Sequence, residues 1–137
     1  MKPRNAAVRD RKQTSLTSKR DYLAIALLLA LVIGLYWQTR HFDFINFDDP
    51  YYVFANPYIR DGLTWSGIKW AFSAHLLFPS TYADYYQPLT FLSRMLDLQL
   101  HGTHAGGHHV TNLLFHAINS TLVFRVLKRM TGIFGRV

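Results

Sequence analysis

The residues best placed to do chemistry fall into two groups. The first is Asp48 and Asp49, followed by Pro50 and set among Phe42, Phe44, Tyr51, Tyr52 and Phe54. Adjacent carboxylates near apolar surface repel one another, which favours a proton on one of them. Such a pair suits two tasks: taking a proton from an attacking hydroxyl, or sharing a divalent cation such as Mg or Mn that holds a phosphate. The competing reading is a turn, since Asp and Pro are turn formers. The second group is His101, His104, His108 and His109 with Gly102, Gly106 and Gly107. Four histidines in nine residues invite a zinc reading, but no Cys, Glu or regular ligand spacing supports it. Glycines leading into a helix N-terminus favour an anion instead, held by His108, His109 and free N–H groups. A plain surface turn uses the same residues.

The elements that would position these groups are apolar. Tyr22–Trp37 (YLAIALLLALVIGLYW) is uncharged over 16 residues. As a helix it is about 24 Å long, somewhat under the roughly 30 Å of hydrocarbon in a bilayer. Tyr22 at one end and Tyr36 and Trp37 at the other suit the interfaces. The residues after Trp37 contain no small-x-small cleavage site, which argues for an anchor over a removed signal peptide. Val110–Leu127 is the second apolar run. It carries Asn112, His116, Asn119 and Arg125. With His109, the series 109, 112, 116, 119 forms a polar stripe on one helix face, which belongs against protein or a wet cavity rather than lipid. Arg125 can snorkel toward Lys128 and Arg129. A soluble amphipathic helix is the alternative for this run.

Charge arranges these helices. Lys and Arg number 15 against eight acids, all of them Asp. Seven basic residues precede Tyr22 and four follow Phe124, whereas residues 40–108 carry four basics and six acids. A nucleic-acid module would concentrate positive charge on its folded body, so no nucleic-acid partner is expected. Basic ends around an acidic middle are the positive-inside pattern of two spans with both termini cytoplasmic. The expected organisation is a basic tail over 1–20, a first transmembrane helix over 21–39, an extracytoplasmic loop over 40–107, a second transmembrane helix over 108–128 and a cytoplasmic end over 129–137. Cysteine is absent, which excludes disulfides and thiolate chemistry.

Within the loop, Pro50, Pro57, Asn56-Pro57 and Asp61-Gly62 are breaks and turns. Thr64 can cap a short helix through Phe72. Trp65, Trp70 and Phe72 leave it little polar surface, which suits a helix lying in the membrane interface; the rival is the core helix of a small extracytoplasmic unit. Pro88 suits the first turn of another helix, with Leu89, Leu92, Met95 and Leu96 on one side and a stop near Gly102.

Read as an ordered string, several motifs resemble one known group. They are Asn46-Phe47-Asp48-Asp49, Tyr52-Val53, Asn56-Pro57, Gly62-Leu63-Thr64, Trp70-Ala71-Phe72, Tyr86-x-Pro88-Leu89-Thr90, Met95-Leu96-Asp97, Gly107-His108-His109-x-Thr111-Asn112-Leu113-Leu114 and Met130-Thr131-Gly132. Over residues 40–132 they resemble the start of the transmembrane and tetratricopeptide-repeat proteins, GT-C-fold glycosyltransferases with many bacterial relatives. The resemblance implies an α-helical integral membrane protein of the bacterial inner membrane: a GT-C-like N-terminal part, with two transmembrane helices joined by an extracytoplasmic loop bearing short interfacial helices. It implies inverting transfer of a sugar, mannose in the animal members, from a polyprenyl-phosphate donor to a protein or glycan hydroxyl. Asp48 becomes the candidate base and Asp49 its partner, with a divalent metal between them in some branches. His108, His109, Asn112 and Arg94 become the candidate substrate-binding residues. The group has further spans and a tetratricopeptide-repeat array, so this chain is expected to be a piece of a longer protein and inactive alone. A small two-span membrane protein acting as an interaction or structural subunit is the alternative.

Overall fold

In a computed structural model, residues 18–47, 49–77 and 85–131 are described. They are largely helical, with no strand among them. Most of the basic tail, Asp48 and the residues after Thr131 lie outside them.

The first helix, α1, runs over Lys19–Tyr36. It starts two residues earlier than the span expected at 21–39 because Ser18 and Asp21 form a capping box, each side chain meeting the other's backbone N–H. Past Tyr36 the chain tightens into a 3-10 turn over Trp37–His41. There the Thr39 hydroxyl donates to the Tyr36 carbonyl at 2.7 Å. Arg40 donates to the Trp37 carbonyl at 3.1 Å, and its guanidinium lies 4.6 Å from the Trp37 ring centre. Helix and turn together give 23 residues, Lys19–His41, long and apolar enough to cross a membrane.

The last helix, α5, covers Ala105–Thr131, 27 residues that also meet that criterion. At 1.5 Å per residue it is about 40 Å long. It starts three residues before the expected 108–128, so Gly106 and Gly107 are helical rather than parts of a loop. Their lack of side chains is used for close approach. A Cβ on Gly106 would stand 2.3 Å from the Arg40 carbonyl oxygen, and one on Gly107 would meet the His101 ring.

Helices α1 and α5 pack antiparallel. Val32 is buried against Leu113 and Ala117, with Leu29 alongside. At the opposite end Lys128 Nζ bonds the Asp21 carboxylate. Both helices leave much apolar surface exposed, interrupted on α5 by exposed Asn112, His116 and Asn119.

Between them lies a small packed helical unit. Residues Pro50–Phe54 make a wide helical turn. A short helix follows, α2 (Pro57–Arg60), capped by buried Asn56, whose Oδ1 accepts the Tyr58 N–H at 3.0 Å. Helix α3 is Trp65–Leu77, with Thr64 Oγ1 accepting the Gly67 N–H at 3.0 Å as the cap. Helix α4 is Pro88–His101, starting on Pro88 and ending at Gly102, whose φ of 57° suits glycine. Val53, Ile59, Trp70, Ala71, Phe91, Met95 and Leu98 form the core of this unit.

That core corrects one expectation. Trp70 does not face a membrane surface: it is 4% exposed, stacked on Tyr58 at 5.1 Å and 7°, and tilted against Phe91 at 4.8 Å. Trp65 and Phe72, on the other side of α3, are 70% and 47% exposed. Helix α3 therefore buries one side in the unit and leaves two aromatics outside.

Candidate functional site

The hairpin and the helical unit meet around the N-terminal half of α5. Here α1 ends and the 3-10 turn crosses over α5, leaving a cleft of ≈ 290 Å³. Tyr36, Thr39, His109, Asn112, Leu113 and His116 line it. Positions 109, 112 and 116 recur at helical spacing, so one face of α5 supplies all three polar side chains. Tyr36 closes one side, edge-on to the His116 ring at 5.2 Å and 86°. His109 lies between the Phe42 and Phe44 rings, at 6.5 and 6.4 Å, and its Nε2 is buried without a hydrogen-bond partner.

The lining offers a phenol, a hydroxyl, a carboxamide and two imidazoles, all able to accept hydrogen bonds and none permanently charged. The Thr39 proton is used on the Tyr36 carbonyl, which leaves its hydroxyl only an acceptor for the cleft it lines. This chemistry fits a hydroxyl-rich or phosphate-bearing group held by hydrogen-bonding dipoles and two imidazole rings, rather than a bare anion gripped by arginine or lysine.

The expected site residues divide. His109 and Asn112 line the cleft. His108, only 6% exposed, stands behind it. Its Nε2 is 2.9 Å from the Gly102 carbonyl, its Nδ1 is 4.0 Å from buried Asp97, and its ring meets Phe44 edge-on at 5.1 Å. That position suits a side chain that fixes the α4–α5 junction. Arg94 does not line the cleft: its guanidinium lies 5.4 Å from the Tyr52 ring centre, and its Nε is buried without a partner. Asp49 accepts the Ile45 N–H at 2.8 Å through one carboxylate oxygen, closing the turn at residues 46–47. Asp48 lies outside the described residues. Among the described residues no group of three or more His or Asp side chains is arranged to hold a metal ion.

Sequence reasoning missed two lining residues. Tyr36 reads as an interface anchor, and nothing local distinguishes Thr39. His116 was legible through the stripe, and Asn119, its fourth member, falls outside the lining.

No family model, curated protein or solved structure matches the chain. What the fold itself defines is a helical protein with two membrane-length helices, paired antiparallel and joined by a compact helical unit.

Proposed function

We propose that the chain is the N-terminal part of a GT-C-type membrane glycosyltransferase. In this reading it takes a sugar, with mannose the first candidate, from a polyprenyl-phosphate donor. The observation that carries the proposal is the placement of the polar cleft and the Asp49 turn at one end of the hairpin. The chain leaves the cleft at Thr39, passes Phe42 and Phe44 against His109 and reaches Asp49 within ten residues.

Depth supports the reading. Lys19, Arg20, Lys128 and Arg129 gather at the other end and suit the cytoplasmic face. From Lys128, His116 is about 18 Å along the axis and His109 about 28 Å. Against roughly 30 Å of hydrocarbon, the cleft runs through the outer third of the layer, with its His109 end at the far boundary, next to the headgroup level where a lipid phosphate resides. The loop over 40–107 is then extracytoplasmic.

In the proposed reaction a carboxylate of the Asp48–Asp49 pair takes the proton of an acceptor hydroxyl as its oxygen attacks the anomeric carbon. The bond to phosphate breaks on the opposite face, and the lipid phosphate leaves with the electron pair. His109 and Asn112 hold the departing group, and His108 fixes the helix that carries them.

The test is a complete protein containing this segment, assayed for transfer from polyprenyl-phosphate mannose. Asp48→Asn is expected to reduce transfer about 10²- to 10⁴-fold with membrane insertion unchanged. Asp49→Asn keeps an oxygen for the Ile45 N–H, so it separates turn from chemistry. Normal transfer by both variants rejects the catalytic assignment.

The alternative, a two-span interaction subunit, is favoured by one observation. Asn112, His116 and Asn119 are exposed on α5, and polar groups at membrane depth call for a protein partner.

A further inference from the structure

Helix α5 carries a second pattern beyond the cleft. Asn112, His116, Asn119, Val123, Val126 and Met130 recur at alternating spacings of four and three, the seven-residue repeat of a helix–helix seam. At 100° per residue they centre roughly 120° around the helix from Leu113 and Ala117, which pack on α1. The seam is exposed along its whole length: Val123 is 56%, Val126 54% and Met130 77% exposed, and the three polar members are exposed as well. Neither Asn112 nor Asn119 side chains bond another described residue.

The geometry points to a second copy of this chain as the occupant of the seam, in a parallel α5–α5 pairing about a two-fold axis along the membrane normal. Two copies inserted with the same topology present their α5 helices in parallel, so each seam residue meets itself. The seam chemistry is self-complementary. A carboxamide both donates and accepts, so Asn112 and Asn119 each satisfy their own copies, and a neutral His116 can do the same. Val123 and Val126 are β-branched, and a repeat with such residues and a polar seam position favours a parallel pair in register. Repulsion is avoided because Arg125, Lys128 and Arg129 all lie about 100° or more around the helix from the seam. The inference rests on the interaction-subunit reading and not on the transferase one, because an Asn112 carboxamide paired with its own copy is not free to hold a lipid phosphate in the cleft. Capture of a different protein at the seam would keep that reading and reject the second copy.

Because the chain has no cysteine, the test needs no prior substitutions. Val123→Cys and Val126→Cys would be placed singly in the full chain in lipid bilayers at low protein density and oxidised. Leu114→Cys and Ile118→Cys, on the opposite side, serve as comparisons. Disulfide-linked dimers are expected for the first two and not the second two, since a disulfide needs Cβ atoms about 4 Å apart. Adding Asn112→Val and Asn119→Val to Val126→Cys should weaken dimerisation by about 3- to 30-fold per site, with helix content unchanged. Equal cross-linking on both sides, none at the seam, insensitivity to the asparagine replacements, or cross-linking to a different protein would each overturn the proposal.

Discussion

Gly106→Ala tests the packing that shapes the cleft. In a helix this change ordinarily stabilises, by about 0.5–1 kcal/mol, because alanine loses less backbone freedom on folding. At residue 106 the added Cβ would stand 2.3 Å from the Arg40 carbonyl oxygen, and ordinary contact starts near 3.4 Å. The obstacle is backbone fixed in the 3-10 turn, so α5 and the turn must part by about 1 Å or deform. Such overpacking costs about 1–3 kcal/mol, more than the propensity gain. A net destabilisation of roughly 0.5–2 kcal/mol is expected. Gly34→Ala is the matched control: it lies in α1 with nothing within 4 Å of its Cβ, so only the propensity gain applies. Thermal unfolding of the purified chain in one detergent would measure both. Gly106→Ala should melt below the parent and Gly34→Ala at or above it. A Gly106→Ala protein as stable as the parent would refute the close approach of α5 to Arg40.

Two further outcomes follow from the packing. Trp70→Ala should cost about 3–5 kcal/mol and expose residues 41–104 to limited proteolysis, whereas Trp65→Ala should stay within about 0.5 kcal/mol. Comparable protease sensitivity in the two variants would contradict the stacking of Trp70 on Tyr58 and Phe91. Asp21→Ala and Lys128→Ala should each lower the melting temperature, Asp21→Ala by more because it also removes the acceptor of the Ser18 N–H. The double variant should lose less than the two single losses combined; strict additivity would show that the pair does not couple α1 to α5.

Much of the architecture was legible in the sequence because it rests on local chemistry. The long apolar runs, the Thr64 cap, the Pro88 start and the Gly102 stop each depend on residues within a turn of one another. The stripe at 109, 112 and 116 was legible because helical periodicity alone puts those side chains on one face. The basic ends around a slightly acidic middle were likewise visible from composition.

Tertiary structure decided what each surface meets. Trp65 and Trp70 look alike in sequence, yet only Trp70 finds Tyr58 and Phe91, which come from other helices. His108 and His109 are adjacent, but successive helical side chains point about 100° apart. One therefore faces Asp97 and the Gly102 carbonyl behind the cleft, and the other faces the cleft itself. Gly106 and Gly107 read as a phosphate-binding loop until Arg40 and His101 are seen against them. Asp21 gave no sign of its partner 107 residues away. Sequence by itself determined the longer helices and the polarity of their faces, since these are short-range properties of the chain; Pro50 and Pro57, read as breaks, instead begin short helical turns. The cleft, the core of the helical unit and the ion pair that joins the helix ends exist only where distant segments meet, and no local pattern encodes that meeting.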